Sequence, residues 1–439
     1  MKIYYGNETK KALKNFPFSI HTVEQEFIFS IVKIKKAGAI ANHKAGNLSL
    51  EIRDTVMEVC DEILNHKHDS QFILSSFQGG AGTAINMNVN EVIASRATEI
   101  LKNKVVVSPF DHVNRSQSTN DVNPSALKIS TFVLLKELDQ ALDLLIESFE
   151  SKSKEFKKIL KLGRTHLQDA IPTTLGAEFC AYASNLQNHK DWLQNILNLS
   201  ITLNLGGTAI GNSMNANPIY IRHIYIELNK ITKGNFIKAK NLMAKTSSQT
   251  DFLMISQCLV SLCIELSKIA NDLRFMSSGP NGGIGEIILP ELQKGSSIMP
   301  GKINPIIPET VNQLYYLVSG NNLTIEKASE GAQMELGVMF PIISDKLLES
   351  LKITTETIRQ FDQLCIRGIK ANKEKCLFHL DNSTAYATLL VPRLGYDLVS
   401  KIVNESIKSK RKFKDVVIGD KYLSESEFNK IIASFVKML

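Results

Sequence analysis

The sequence predicts a mostly α-helical protein built around a bundle of long helices. Several segments longer than about 25 residues place apolar side chains at three- and four-residue steps with no internal proline, as long helices do. Alternating strand patterns are nearly absent. Residues 251–277 are apolar on more than one side, and such a helix usually needs more than one neighbour. We therefore expect this segment to be buried inside an oligomer core as much as inside one subunit.

The helical pattern can be followed along the whole chain. It covers residues 24–45, 49–65, 125–160, 174–203, 251–277, 306–329 and 340–368. Polar, loop-like segments lie at 77–90, 108–124, 161–174, 204–218 and 277–305. The side chains suited to chemistry are concentrated in these polar segments, which is typical of functional loops on a rigid scaffold.

The composition excludes several classes of protein. Of 439 residues, 44% are apolar and 22% charged, as expected for a soluble globular protein with two or three domains. The polar stretch from Met1 to Lys14 lacks the apolar core of a signal peptide. No run approaches the roughly 20 apolar residues that span a bilayer. Six cysteines without CxxC spacing indicate reduced thiols rather than disulfides or zinc. We expect a cytoplasmic protein without a metal or a membrane partner.

The formal net charge is +7, and most of the positive excess is dispersed along the chain. A basic cluster at 408–414 is best explained as a solvated surface. Neither interleaved stacking aromatics nor a known nucleic-acid module accompanies it. We therefore expect no nucleic-acid partner.

The stretch 295–305, Gly-Ser-Ser-Ile-Met-Pro-Gly-Lys-Ile-Asn-Pro, is the most informative loop. Hydroxyls from Ser296 and Ser297, the charge of Lys302 and the amide of Asn304 suit an anion such as a carboxylate. An ordinary turn before a helix would explain the glycines and prolines. It would not explain why the four polar side chains are so close together.

A glycine-rich stretch precedes Thr83, and Asn86, Asn88 and Asn90 follow it on alternate residues. Glycines let backbone N–H groups approach an anion, and Thr83 adds a hydroxyl. The stretch is not a P-loop, because it lacks the Gly-Lys-Ser/Thr ending. Taken alone, it indicates a turn and a helix start slightly more than a binding site.

Two further polar segments are candidates for the site. Ser118, Thr119 and Asn120 lie just before the predicted helix 125–160, where unpaired N–H groups favour a carboxylate. The same residue types are preferred helix caps, so the residues alone favour neither function. In the second segment, His166 follows Thr165, and Glu309 is a candidate partner for orienting its ring. A lone histidine is more often part of a protein core.

Six blocks resemble the class II fumarase/aspartase superfamily and occur in that family's order. They are GGAGTxxNMNxNE, DHVNxSQSTND, GRTHLQDA, NLGGTAIG, KIANDLRxxSSGP and GSSIMPGKxNP. The resemblance covers nearly the whole chain. It implies a mostly α, three-domain subunit with domains at 1–115, 116–370 and 371–439. It also implies a homotetramer whose central helices form a shared bundle and whose active sites are each built from three subunits.

Within the superfamily, the blocks are more similar to the aspartate ammonia-lyase branch than to the fumarase branch. The features that favour this branch are Thr83 after Gly-Gly-Ala-Gly, His112, Thr119 and the second proline, Pro308. The residues at 108–111, Ser-Pro-Phe-Asp, do not resemble the second anion site of fumarases, so we expect that site to be absent. A fumarase and a non-catalytic homologue are the two alternatives.

The resemblance implies elimination of ammonia from L-aspartate to give fumarate, through an aci-carboxylate intermediate and without a cofactor. Ser296 would be the general base, with His166 and Glu309 also in catalytic positions. The β-carboxylate would be held by Ser118, Thr119 and Ser297. The α-carboxylate would be held by Thr165, Lys302 and Asn304. The amino group would contact Thr83, Asn120 and His166. Loop 295–305 would close over the substrate and expel water.

Overall fold

The structure is a computed structural model that describes residues 2–438, and it confirms the mostly α-helical fold. The helices are α1 (Asn7–Asn15), α2 (Gln25–Lys44), α3 (Leu50–Leu64), α4 (Thr83–Ile100), α5 (Thr119–Phe156), α6 (Leu175–Ile201), α7 (Pro218–Thr232), α8 (Leu242–Ser247), α9 (Thr250–Met276), α10 (Ile306–Glu330), α11 (Phe340–Leu364), α12 (Lys373–Asp381), α13 (Ala387–Leu394), α14 (Tyr396–Ser409), α15 (Phe413–Gly419) and α16 (Glu425–Met438). The strands are β1 (Leu160–Thr165), β2 (Gln168–Thr174), β3 (Thr202–Leu203), β4 (Ile237–Lys238), β5 (Ile287–Ile288) and β6 (Lys370–Ala371).

Helix α5 begins at Thr119, inside the segment 108–124 that we predicted to be a loop. Ser118 caps the helix, because its Oγ accepts the Asn120 N–H at 3.2 Å and its own N–H donates to Asp121 Oδ1 at 2.8 Å. Pro124 lies within the helix and removes the N–H that would bond the Asn120 carbonyl. The Asn204 side chain donates to that carbonyl instead, at 3.0 Å. The Asn204 side chain thus replaces the missing backbone hydrogen bond, so the helix can start before the proline.

The segment 161–174, also predicted as a loop, is mostly a β-hairpin. Strands β1 and β2 pair antiparallel, with Thr165 opposite Gln168 at the tip. His166 and Leu167 form the turn with φ values of 54° and 60°, the left-handed conformation that two-residue hairpin turns require. The prediction was wrong because this turn contains none of the Asn or Gly residues that usually mark it.

The chain forms two compact units, each assembled from three stretches of sequence. The first comprises residues 2–139, 191–261 and 316–355, and the second comprises 140–190, 262–315 and 356–438. In the first unit, Phe340 packs against Phe27 and Phe252 with ring centroids 5.9 and 6.3 Å apart. In the second, the ring of Phe149 lies 5.8 Å from that of Phe179. The family-based domains at 1–115, 116–370 and 371–439 remain a prediction.

One helix among residues 2–438, α9, is long and apolar enough by composition to cross a membrane. Half of its most apolar stretch is buried inside the chain. Polar residues such as Ser256 and Gln257 lie within the helix, so it contains no continuous apolar run of roughly 20 residues. The core helices of soluble proteins have the same composition, so α9 is weak evidence for a membrane span.

Candidate active site

Thr83 begins α4 directly after a tight 3₁₀ turn formed by Gly80–Gly82. Ala81 and Gly82 have φ values of 54° and 77°, and the Thr83 hydroxyl donates to the Gly80 carbonyl at 2.9 Å. Thr83 itself is exposed. The glycine-rich stretch therefore forms a turn followed by a helix start, as the sequence alone favoured. It also presents the accessible Thr83 hydroxyl at that helix start.

Asn123 joins this turn to the beginning of α5. Its buried amide donates to the carbonyls of Ala81 at 3.2 Å and Gly82 at 3.0 Å. A Cβ on Gly82 would lie only 2.7 Å from that amide nitrogen, so only glycine leaves room for the contact. Asn123 brings the segments of Thr83 and Thr119 together. The sequence analysis missed it, although a buried asparagine in an apolar helix was the available signal.

Asp121 fixes the same segment to the NLGGTAIG block at 204–211. Its carboxylate accepts the N–H groups of Ser118 at 2.8 Å and of Gly206 and Thr208 at 3.0 Å each. Full burial raises the pKa of Asp121 to about 6, and the three N–H bonds oppose the shift. The Asn120 amide donates to the Ala209 carbonyl at 2.8 Å, which leaves its oxygen available as an acceptor. The block at 204–211 thus positions the donors at 118–120.

Lys35 lies beneath this segment and is completely buried. Its ammonium donates to Asn114 Oδ1 at 2.9 Å and to Gln117 Oε1 at 3.1 Å. Asn86 and Asn90 donate to the same Asn114 oxygen, each at 3.2 Å. Burial lowers the pKa of Lys35 to about 7. Asn86 and Asn90 therefore support the fold rather than face a ligand.

Loop 295–305 is closed by its own backbone. The Gly295 N–H donates to the Lys302 carbonyl at 3.0 Å, and the Asn304 amide donates to the Gly295 carbonyl at 2.8 Å. A Cβ on Gly295 would lie 2.3 Å from the Lys302 carbonyl oxygen, so the closure requires glycine. Asn304 uses one of its two N–H bonds in the loop and keeps the other.

Ser296 accepts two backbone N–H groups within this loop. Its Oγ lies 3.2 Å from the nitrogen of Ile298 and 3.1 Å from that of Met299. The N–H groups direct their partial positive charge toward the hydroxyl oxygen, which stabilises a negative charge on that oxygen. The same bonds would also cap an ordinary turn.

Ser297 and Lys302 are exposed on the same loop. Within residues 2–438, neither side chain makes a hydrogen bond or an ion pair. An exposed hydroxyl and an unpaired cation on a glycine-closed loop can bind an anionic ligand.

Thr165 and His166 are exposed at the tip of the β1–β2 hairpin, and Glu309 lies in the first turn of α10. No hydrogen bond or ion pair joins His166 to Glu309 in the described chain. The orientation of this histidine by Glu309 stays a prediction. Of the eleven predicted site residues, Thr83, Ser118, Thr119 and Asn120 belong to the first compact unit and the other seven to the second.

In the described part of the chain, one side-chain group has the spacing of metal ligands, namely His21, Asp345 and Glu349. The Lys346 ammonium lies 3.0 Å from the Asp345 carboxylate and 2.7 Å from that of Glu349, so a cation already offsets part of the charge of the two acids. All six cysteines are free thiols, and four of them are buried.

Comparison with known proteins identifies the class of enzymes to which this chain belongs. Residues 2–320 match a family model described as lyase, and residues 387–438 match one described as fumarase C C-terminus. The chain belongs to the lyase family of the class II fumarase/aspartase superfamily, as the sequence blocks predicted.

Relatives from two branches match over nearly the full length. An aspartate ammonia-lyase from Bacillus sp is 40% identical, over 98% of this chain and 92% of that protein. A fumarate lyase:delta crystallin from Brucella melitensis, solved bound to cobalt, has a TM-score of 0.95 and 39% identity, covering 100% of this chain and 96% of that one. A class II fumarase from Schistosoma mansoni has a TM-score of 0.92 and 33% identity, covering 98% and 95%.

Proposed function

We propose that this lyase catalyses the reversible elimination of ammonia from L-aspartate to give fumarate. The observation that carries the proposal is Ser296, a hydroxyl with two N–H donors, on the same loop as the unpaired Lys302. The choice of aspartate is supported by the Bacillus sp aspartate ammonia-lyase, which is 40% identical, against 33% for the class II fumarase.

Ser296 is the general base that removes a proton from C3 of the substrate. A serine hydroxyl is a poor base, so its oxyanion needs stabilisation, and the N–H groups of Ile298 and Met299 supply it. The electron pair of the broken C–H bond moves into the neighbouring carboxylate and forms the aci-carboxylate. That pair then forms the C2–C3 double bond while the C–N electrons leave with ammonia.

The remaining site residues bind the charged groups of the substrate. Lys302, Thr165 and Asn304 hold the α-carboxylate, and Ser118, Thr119 and Ser297 hold the β-carboxylate that gains charge. His166, Thr83 and Asn120 contact the amino group. Asn120 suits an ammonium because Ala209 takes one of its N–H bonds and its oxygen remains an acceptor.

A homotetramer with active sites built from three subunits is part of the proposal. The long helices carry large apolar side chains that are exposed in the single chain, such as Trp192 at 53%, Ile264 at 50% and Tyr316 at 64%. Exposed apolar side chains that recur along α9 and α10, together with Trp192 on α6, are typical of an obligate interface. Contacts between copies of the chain would also give the side chains of His166 and Glu309 the partners that they lack among residues 2–438 of one chain.

The decisive experiment follows fumarate absorbance when the purified protein is incubated with L-aspartate or with L-malate. We expect fumarate from aspartate. Fumarate from malate alone would identify a fumarase, and no fumarate from either would favour a non-catalytic homologue. We further propose a cytoplasmic location without nucleic-acid, membrane or cofactor partners, which fractionation of cells and analysis of the purified protein would test.

A further inference from the structure

A buried charge cluster lies beside the β1–β2 hairpin, and the mechanism above gives it no role. At its centre is Glu286, which is fully buried. Its Oε1 lies 2.9 Å from Arg164 Nη2 and 2.9 Å from His379 Nδ1, and its Oε2 lies 3.1 Å from Lys161 Nζ. Three cationic or basic side chains therefore converge on one carboxylate.

The backbone of Glu286 is also held from both sides. Its N–H donates to the Met276 carbonyl at 2.8 Å, and its carbonyl accepts the Asn372 N–H at 2.9 Å. Strand β5 follows immediately and pairs with β6, after which the chain leads into loop 295–305. Glu286 thus directly precedes β5, from which the chain continues to the loop that carries Ser296.

The pKa values of the two acids in the cluster shift in opposite directions. Burial raises the pKa of Glu286, but its contacts with Arg164, Lys161 and His379 outweigh burial and hold the pKa below its usual value. A second acid, Glu178, accepts from Lys161 at 2.7 Å. Burial raises the pKa of Glu178, and the contact with Lys161 does not fully offset it.

The hairpin tip needs an anchor of this kind. His166 and Leu167 both have left-handed φ values, and neither is the Asn or Gly that adopts this turn at low cost. Arg164 directly precedes Thr165 at the tip and contacts Glu286, whereas Lys161, the other β1 residue in contact with Glu286, lies further from the tip. A planar guanidinium fixed by a buried carboxylate limits the motion of the strand that carries the turn.

His379 on α12 contacts both Glu286 and Arg164. Its Nδ1 lies 2.9 Å from Glu286 Oε1 and 3.3 Å from Arg164 Nη2. It either donates to the carboxylate or accepts from the guanidinium, depending on the tautomer. In both cases the three side chains remain in contact.

We propose that Glu286 is a positioning residue that holds Thr165 and His166 in place through Arg164 and ties the hairpin to the start of the Ser296-bearing segment. The inference rests on the proposed function, because it assumes that the hairpin tip contacts the substrate. Glu286 contacts the strand and not the substrate, so its loss misplaces catalytic groups without removing any of them.

The matched experiment compares E286Q with E178Q. Both substitutions remove a carboxylate from the same buried cluster and keep its shape, but only E286Q loosens the contact with Arg164. We expect E286Q to lower kcat/KM for fumarate formation about 10- to 100-fold, the effect of a displacement near 1 Å. We expect E178Q to remain within about 3-fold of the unmodified protein. Thermal midpoints measured on both variants report their folding.

Amide hydrogen exchange of residues 160–174 gives a second measurement that does not need catalysis. E286Q should lose protection there and E178Q should not. Equal losses of kcat/KM in the two variants, or unchanged activity and exchange in E286Q, would overturn the proposal. If E286Q does not fold, R164K tests the same contact, since lysine keeps the charge and loses the planar fork. We then expect R164K to lower kcat/KM and the exchange protection of residues 160–174. If the unmodified protein forms no fumarate from aspartate, the proposed function fails and the exchange experiment still tests the coupling.

Discussion

At the scale of single residues, the chemistry depends on a few side chains whose partners are backbone groups of their own loop. Ser296 receives two N–H bonds from Ile298 and Met299. The Lys302 ammonium has no partner within the described chain. Its backbone carbonyl accepts the Gly295 N–H, and a Cβ on Gly295 would lie too close to that carbonyl oxygen. Loop closure therefore uses main-chain atoms and the Asn304 amide, and leaves the Ser297 and Lys302 side chains available for a ligand.

Replacing Ser296 by alanine should lower kcat by about 10² to 10⁴, the usual contribution of a general base. The thermal midpoint should change little, because Ser296 lies in a loop and contacts only that loop. Steady-state fumarate formation measures the effect, and S151A, at an exposed serine of α5, is the control. An S296A enzyme with unchanged kcat would show that another group removes the proton.

The substitution K302M should raise KM for aspartate about 10- to 100-fold, since a hydrogen bond to a charged group contributes about 1.5–3 kcal/mol. The kcat should change less, because the α-carboxylate carries the same charge in substrate and transition state. K294M, at an exposed lysine just before the loop, is the matched control for lost positive charge. Equal effects in the two variants would mean that only the general field attracts the substrate.

At the scale of elements, buried polar groups hold the loops in register. Asp121 fixes the start of α5 to the block at 204–211, and Asn123 fixes it to the glycine turn before Thr83. Lys35 supports the same segment from below. Each of these groups is costly to bury, and full burial raises the pKa of Asp121 to about 6 and lowers that of Lys35 to about 7.

The buried Lys35 should give stability a characteristic pH dependence. Burial lowers its pKa from 10.5 to about 7, against smaller opposing effects of Asp121 and Cys60. Between these values the unfolded chain binds a proton that the folded chain does not, so folding stability rises with pH by up to about 1.4 kcal/mol per unit. Below pH 7 the full cost of burying the charge is present.

The variant K35M lacks this titration. Its thermal midpoint relative to the unmodified protein should therefore be highest near pH 7 and fall as the pH rises toward 9. Thermal unfolding at several pH values measures the difference. A difference that stays constant with pH would contradict the lowered pKa of Lys35 in the folded chain.

At the scale of the whole molecule, the predicted site residues are distributed over two compact units, and exposed apolar side chains recur along helices α9 and α10. His166 and Glu309 make no hydrogen bond or ion pair with each other within one chain. Both observations agree with the proposal that each active site contains residues from more than one subunit.

Hybrid oligomers test this sharing. If Ser296 and His166 of one site come from different subunits, a mixture of S296A and H166A chains unfolded and refolded together should regain activity. Random assembly at equal amounts gives about a quarter of the sites both intact residues. Fumarate formation by the mixture, compared with each variant refolded alone, measures the recovery. No recovery from a mixture shown to contain hybrids would place both residues of a site in one chain.

The sequence by itself determined the helical fold class and the approximate extent of the long helices, because helical periodicity is a local pattern of neighbouring side chains. It also determined the family and identified Ser296, Lys302 and the donors at 118–120 as candidates. Their roles remain part of the proposal.

Only the tertiary structure decided the early start of α5, the hairpin that carries His166, and the supports Asn123, Lys35 and Glu286. The start of α5 and the three supports depend on hydrogen bonds or ion pairs between residues far apart in sequence, whereas the hairpin forms around a turn that lacks the usual Asn or Gly. Asn204 accommodates Pro124, and Arg164 contacts Glu286. A buried polar group is stable only where its partner is brought to it, and folding alone creates that proximity.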